Sequence, residues 1–216
     1  STQGVSSAAS DVYKRQRQHR RSARESLDCA LMLQELNRMG VNNIITFDAH
    51  DPRVVNAIPE GGFESVMPSY QIFKALLKRR KDLKLDKDHL MIVSPDEGAL
   101  DRNIFYACVL GVDMGMFYKR RDYTRIVNGR NPIVAHEYMG KEVNGKDVFV
   151  ADDILSSGES MIEVAHRLKE LGANRIFSAV TFPLFTNGLE LYQKSYDEGL
   201  IDGVISTNLT YRTPEL

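Results

Sequence analysis

The sequence predicts an α/β fold with a mainly parallel sheet, and three observations lead to this prediction. Short apolar runs of strand-forming residues alternate along the chain with longer segments whose apolar residues have helical spacing. The runs are separated by helices, which is typical of parallel strands covered on both faces. Charged residues follow most of the runs, at the sheet edge where α/β proteins bind their ligands.

The individual elements follow from the same periodicities. Helical spacing predicts helices over residues 25–39, 69–81, 97–111, 160–171 and 187–199. Apolar, β-rich runs predict strands over residues 43–48, 89–94, 113–118, 147–151, 175–182 and 203–207. Residues 119–140 are predicted to form a long polar connection, because they lack both patterns.

A domain boundary is predicted by a cluster of turn-forming residues, Pro59, Gly61, Gly62 and Pro68. Residues 17–67 supply one helix and one strand, and one strand cannot form a sheet, so its partner strands are expected in residues that this chain lacks. We therefore expect a partial N-terminal domain over 17–67, in a chain truncated at its N-terminus, and a second domain over 68–216. Residues 1–16, rich in Ser and Ala and without periodicity, are predicted to be a non-native or disordered leader.

Composition excludes several classes of protein. The net charge of −1 gives no indication of nucleic-acid binding. No apolar run approaches the roughly 18 residues of a membrane helix, and no signal peptide is recognisable. We therefore predict a cytoplasmic protein with no membrane partner. Cys29 and Cys108 lie within predicted helices, and we expect two buried thiols rather than a disulfide or zinc site.

The most informative segment is a predicted strand, loop and helix over residues 147–172. The strand delivers Asp152 and Asp153, and the helix follows a turn that contains hydroxyl groups and Gly158. Glycine lets a backbone approach a ligand closely, and a helix N-terminus offers N–H groups and a positive dipole end to an anion. Carboxylates accept hydrogen bonds from sugar hydroxyls or bind Mg²⁺ through water. The segment therefore predicts a site for a phosphorylated sugar, formed by Asp152, Asp153, Ser156, Ser157, Gly158 and Ser160.

This segment resembles the signature of the phosphoribosyltransferase type I fold: an apolar strand, two acids, two apolar residues and a hydroxyl/glycine loop. The resemblance implies that the loop binds a ribose 5-phosphate and that the acids bind the ribose hydroxyls. It also implies a Rossmann-like domain over 68–216, preceded by the tail of a second, similar domain. The sequence departs from the signature at two positions, with Ser156 where many members have a third acid and Glu159 where glycine is common.

Other segments resemble, in the same order, the ribose-phosphate pyrophosphokinase family. They are Arg17-Gln18, Asp48-Ala49-His50, Ser94-Pro95-Asp96 and Lys119-Arg120-Arg121. The resemblance implies transfer of the diphosphate of ATP to the anomeric hydroxyl of ribose 5-phosphate, which yields phosphoribosyl diphosphate and AMP. It implies catalytic roles for Lys119 and Arg121, ATP contacts for Arg17, Gln18 and His50, and a Mg²⁺ site at His50 and Asp96.

The same resemblance implies a mobile loop over residues 122–130, a homo-oligomer and further C-terminal structure beyond Leu216. Two alternatives remain open at this point. A salvage phosphoribosyltransferase shares the loop but does not need Lys119 and Arg121. A non-catalytic regulatory homologue accounts for Ser156 and Glu159. A simple nucleotide-binding module is less compatible, because no Gly-x-x-x-x-Gly-Lys loop is present.

Overall fold

The structure is a computed structural model that describes residues 27–121 and 133–210, without the side chains of 119–121 and 133–136. The predicted leader, Arg17, Gln18 and the predicted loop over 122–130 lie outside the described residues. The chain divides into two compact units, with the boundary between Pro68 and Ser69. No helix within the described ranges is long and apolar enough to cross a membrane.

The first unit contains helix α1, two strands and a 3₁₀ helix. These elements are α1 (Asp28–Arg38), β1 (Asn43–Phe47), the 3₁₀ helix Pro52–Ala57 and β2 (Gly62–Val66). Its small core joins Cys29 and Leu33 of α1 to Val54 and Ile58. The two strands pair in parallel, with Asn43 opposite Gly62. The prediction that β1 has no partner in this sequence was therefore wrong, because the turn-forming glycines hid the short strand that follows them.

The second unit is built on a sheet that has six strands in the described part of the chain. The strands are β3 (Leu90–Ser94), β4 (Asp113–Arg121), β5 (Ile133–Gly140), β6 (Asp147–Leu155), β7 (Ile176–Pro183) and β8 (Gly203–Ser206). The helices are α2 (Ser69–Arg79), α3 (Leu100–Leu110), α4 (Glu159–Glu170) and α5 (Glu190–Asp197). The strand order is β5-β4-β3-β6-β7-β8, and every neighbouring pair is parallel except β4 and β5. The predicted α/β class is confirmed.

The prediction of a polar connection over 119–140 was wrong at both of its ends. Strand β4 continues through Arg121, and β5 pairs with it antiparallel, with Lys119 opposite His136. Three consecutive basic residues, 119–121, hid the end of β4 in the sequence, whereas β5 is mostly apolar and was missed because it lies outside the strand–helix alternation. Lys119 and Arg121 therefore lie within the end of a strand instead of after it.

Helices cover both faces of the sheet, which explains why every residue of β3 is buried. On one face, the rings of Phe73 in α2, Tyr106 in α3 and Phe149 in β6 pack together, with centroids 5.3–5.7 Å apart. Alternate residues of β6 join α4 and α5 in a second core. Both cysteines are free thiols, but Cys108 is exposed, so its predicted burial was wrong.

Candidate functional site

Strands β3 and β6 are neighbours in the sheet, yet the chain leaves them in opposite directions. From β3 it runs through α3 to β4 on one side, and from β6 it runs through α4 to β7 on the other. Such a switch point opens a crevice beyond the carboxyl ends of the two strands, where α/β proteins bind ligands. Asp96 follows β3, and Asp152 and Asp153 lie near the end of β6, so the fold brings these three predicted site residues to this edge.

The two acids of β6 are part of the strand. The sequence predicted that the strand ends at residue 151, but pairing with β7 continues to Leu155, opposite Pro183. Alternation along the extended strand then gives the two acids different surroundings. Asp153 is buried, whereas Asp152 is partly exposed and accepts a hydrogen bond from the Asp153 backbone N–H at 2.9 Å. Asp152 is thus the more accessible of the two carboxylates.

A buried cation, which the sequence analysis missed, lies beside these acids. Arg102 of α3 is only 7% exposed, and its guanidinium lies 3.8 Å from Asp152 Oδ1 and 3.9 Å from Asp153 Oδ2. The signal was present in the sequence, because Arg102 occupies the buried face of a predicted apolar helix. Arginine is rarely buried without a partner, so an arginine on the buried face of a helix indicates that acids lie nearby.

The electrostatic balance at Asp152 disfavours its charged form. Burial raises the pKa of Asp152 well above its ordinary value, and the charges of Asp153 and Asp96 raise it further, whereas Arg102 lowers it. Acids gathered in one crevice attract cations and hydroxyl donors, since either relieves the repulsion between them. The crevice is therefore suited to a cationic or polyhydroxylated ligand.

A second missed residue, Asn103, fixes the backbone immediately before the acids. Its side chain is fully buried, and it both donates to the Ala151 carbonyl at 2.8 Å and accepts from the Ala151 N–H at 3.1 Å. The same amide nitrogen lies 2.8 Å from the Ala99 carbonyl and 3.3 Å from Ser94 Oγ. Asn103 thus ties α3 to the ends of β3 and β6.

The loop after β6 passes directly into helix α4. Gly158 is the N-cap of this helix, with a left-handed φ of +86°. In the predicted phosphate loop, Ser156 and Ser160 are exposed and Ser157 is half-buried. Glu159 is also exposed, so its charge faces water while it occupies the first turn of α4. The N–H groups of Glu159 and Ser160 precede the first helical hydrogen bonds, in which Met161 and Ile162 donate to Gly158, so these two groups can be offered to an anion.

The segment that follows β7, residues 184–186, is hydrogen-bonded to this loop. The backbone N–H of Leu184 donates to the Leu155 carbonyl at 2.8 Å, and that of Thr186 donates to the Ser156 carbonyl at 3.0 Å. The hydroxyl groups of Ser156 and Thr186 lie 3.4 Å apart. Two consecutive carbonyls of the loop are therefore fixed by neighbouring backbone, and the serine hydroxyl has a polar neighbour.

A strand with paired acids, a hydroxyl and glycine loop and a helix N-terminus stand together at a switch point. The family model for the phosphoribosyl transferase domain matches residues 60–200, which include all of these features. The chain belongs to this family.

Curated relatives of this phosphoribosyl transferase chain carry the name ribose-phosphate pyrophosphokinase. The relative from Ralstonia nicotianae is 30% identical over 82% of this chain and 51% of its own length. The one from Pyrococcus abyssi is 33% identical over 78% of this chain and 54% of its own length. The resemblance predicted from the sequence is confirmed. The chain spans about half the length of these relatives.

A solved structure supports the fold of this family member. The phosphoribosylpyrophosphate synthetase of Mycobacterium smegmatis matches it with a TM-score of 0.73 and 21% identity, over 94% of this chain and 61% of that one. At this level of identity the match establishes a shared fold.

For some of the remaining predicted site residues of this phosphoribosyl transferase chain, the structure describes the backbone and not the side chain. The backbone of Lys119 and Arg121 lies at the carboxyl end of β4, next to β3, while their side chains lie outside the described residues. His50 follows β1 in the first unit and is half-buried. The described residues contain no group of three or more His, Cys, Asp or Glu side chains placed to hold a metal ion.

Proposed function

We propose that this protein is a ribose-phosphate diphosphokinase. It transfers the diphosphate of ATP to the anomeric hydroxyl of ribose 5-phosphate and releases AMP. The observation that carries the proposal is the meeting of Asp152 and Asp153 with the loop and helix N-terminus at the β3/β6 switch point. The names of the relatives support this choice within the family.

The described geometry supports a ribose 5-phosphate site at this edge of the sheet. The 5-phosphate binds the first-turn N–H groups of α4, where the helix dipole and the hydroxyls of Ser157 and Ser160 favour an anion. The 2- and 3-hydroxyl groups of the ribose donate to Asp152 and Asp153. A hydrogen bond to a charged acceptor contributes about 1.5–3 kcal/mol, so the two acids together decide sugar binding.

Magnesium fits this site as an ion that arrives with ATP. Mg²⁺ is commonly held by one or two carboxylates together with substrate phosphates and water, so a cluster of protein ligands is not required. Asp96, whose charge acts on Asp152, is the carboxylate that we assign to it. When bound, Mg²⁺ neutralises charge on the diphosphate.

Lys119 and Arg121 supply the positive charge for the transfer itself. The anomeric hydroxyl loses its proton to water as its oxygen forms a bond to the β-phosphorus of ATP, and the bond between this phosphorus and the oxygen bridging to the α-phosphate breaks. The bridging oxygen leaves on AMP, so negative charge develops on phosphoryl oxygens. Lysine offers a mobile point charge and arginine a two-pronged one, and both stabilise such charge.

Incubation of the protein with ribose 5-phosphate and MgATP tests the proposal. Phosphorus NMR should show phosphoribosyl diphosphate and AMP in equal amounts, and Lys119→Ala should abolish both. Lys141→Ala is the matched control, because Lys141 is 70% exposed and pairs with Asp113 at the far end of the β4/β5 hairpin.

Two other outcomes correspond to the alternative functions. Base-dependent release of diphosphate from phosphoribosyl diphosphate, without AMP formation, would indicate a salvage phosphoribosyltransferase. Binding of ribose 5-phosphate without turnover would indicate a regulatory homologue. The predicted homo-oligomer is tested separately by light scattering on a sizing column, where a monomeric mass would contradict it.

A further inference from the structure

The turn that begins the phosphate loop helix is packed against an aromatic ring. A Cβ atom on residue 158 would lie 2.7 Å from Oη and 2.9 Å from Cζ of Tyr192, closer than real Cβ atoms approach other atoms. Any side chain at this position would have to displace the ring. Glycine is therefore required at residue 158 by the Tyr192 ring and by the left-handed φ. The close approach of a ligand, which the sequence suggested as the reason, is not needed to explain it.

Tyr192 also contacts the carbonyl group that starts helix α4. Its hydroxyl donates to the Gly158 carbonyl oxygen over 3.4 Å, a long hydrogen bond. The same oxygen accepts from the backbone N–H groups of Met161 and Ile162, each at 3.1 Å. The orientation of this one peptide group therefore sets the direction of the first turn of α4, including the N–H groups that face the site.

Tyr192 is itself held firmly. It lies in α5, is 5% exposed and packs edge-to-face on Phe185, with ring centroids 5.4 Å apart. Phe185 belongs to the segment after β7 that fixes the Leu155 and Ser156 carbonyls. Burial and the nearby charge of Asp152 raise the pKa of Tyr192, so its hydroxyl keeps its proton and stays a donor.

We propose that Tyr192 is a positioning residue for the anion site, which holds the Gly158 turn so that the first N–H groups of α4 converge on a phosphate monoester. The inference rests on the proposed function for the identity of the anion, ribose 5-phosphate. Because the hydroxyl contact is long and the ring contact is close, the ring contributes more than the hydroxyl group.

A double-mutant cycle between Tyr192 and Gly158 tests this coupling, with the Kd for ribose 5-phosphate measured by calorimetry. We expect Tyr192→Phe to weaken binding about 3-fold and Tyr192→Leu about 10-fold or more, while the Kd for MgATP changes less than about 2-fold. Gly158→Ala should weaken binding more than about 30-fold, and its effect should be several-fold smaller in the Tyr192→Leu background. Tyr196→Leu, one turn further along α5 and 53% exposed, is the matched control and should change nothing.

The proposal would be overturned if the losses of ribose 5-phosphate affinity in the two single variants simply multiplied in the double variant. It would also be overturned if Tyr196→Leu lost as much affinity as Tyr192→Leu. Melting temperatures of every variant show whether each is folded at the temperature of the binding measurement. A weakened Kd for ribose 5-phosphate in Tyr192→Leu with an unchanged Kd for MgATP separates loop positioning from a general loss of packing.

A second measurement separates this inference from the proposed function. Inorganic phosphate is titrated into labelled protein while the backbone amide signals of Glu159 and Ser160 are followed by NMR. If wild-type protein binds inorganic phosphate there but not ribose 5-phosphate, the proposed function fails and the positioning role is judged on phosphate alone. If phosphate shifts these signals equally in wild type and Tyr192→Leu, the positioning role fails.

Discussion

The two ends of strand β6 carry acids that the structure treats in opposite ways. At the amino end, Asp147 accepts hydrogen bonds from Arg175 at 2.6 and 3.0 Å and from Asn174 at 2.8 Å. At the carboxyl end, Arg102 lies 3.8 and 3.9 Å from Asp152 and Asp153, which is ion-pair distance but beyond hydrogen-bond distance.

The difference is visible in the protonation equilibria at the two ends. Hydrogen bonding to Asp147 raises the pKa of Arg175, so the charged pair is favoured. Burial and the neighbouring Asp153 raise the pKa of Asp152, so its charged form is disfavoured. The amino end therefore contributes stability, whereas the carboxyl end retains unfavourable electrostatic free energy, which we expect a bound ligand to relieve.

The largest expected effect comes from neutralising the acids at the carboxyl end. Asp152→Asn combined with Asp153→Asn should lower kcat/KM for ribose 5-phosphate by about 100–1000-fold, because two charge-assisted hydrogen bonds to the sugar are lost. Steady-state kinetics at saturating MgATP measure the change.

Asp147→Asn is the control from the other end of the same strand. It should lower stability while it leaves the Kd for ribose 5-phosphate unchanged. Equal losses of kcat/KM in Asp147→Asn and in the double variant would show that the acids at the carboxyl end act through folding alone.

The next effect in size concerns stability at the amino end. Arg175→Gln should lower the free energy of unfolding by about 3 kcal/mol, since it leaves Asp147 buried without its two-pronged partner. Urea denaturation measures this loss. Arg167→Gln, which breaks an exposed pair with Glu170, should change the free energy by less than about 0.5 kcal/mol. A loss near zero in Arg175→Gln would mean that solvent replaces the pair without cost.

A smaller effect is expected from the buried cation at the carboxyl end. Arg102→Gln should lower kcat/KM for ribose 5-phosphate about 10-fold at neutral pH and less at higher pH. Because Arg102 lowers the pKa of Asp152, its loss moves the acidic limb of the kcat/KM profile to higher pH. Arg102→Lys should restore the limb toward its original position. An unchanged limb in both variants would show that Asp152 is not the group that limits activity at low pH.

The comparison also shows which parts of the site the sequence could predict. The acids and the loop of β6 were predictable because strand, turn and helix start are set by neighbouring residues. The convergence of Asp96 with Asp152 was predictable from the parallel sheet, since strand ends meet at one edge. These features depend on local pattern and on one general rule of topology.

The features that escaped prediction depend on partners distant in sequence. Asn103 acts on Ala151, 48 residues away, and Tyr192 acts on Gly158, 34 residues away. Arg102 lies on the buried face of an apolar helix, but the acids beside it are identified only once the fold places β6 next to α3. Strand β5 was missed although its sequence is mostly apolar, because it pairs antiparallel with β4, outside the alternation of strands and helices on which the prediction rested.

The smallest predicted effect tests the claim that the carboxyl end retains unfavourable free energy. A carboxyl group whose pKa is raised in the folded state weakens stability as pH rises above its unfolded value, because the unfolded chain ionises first. Asp152→Asn removes this cost and should raise the free energy of unfolding by about 1 kcal/mol at pH 7.5, with no gain at pH 3, below the unfolded pKa. Urea denaturation at the two pH values measures both. A lower stability of Asp152→Asn at pH 7.5 would mean that Arg102 compensates the charge fully, and the contrast between the two ends of β6 would then be one of geometry alone.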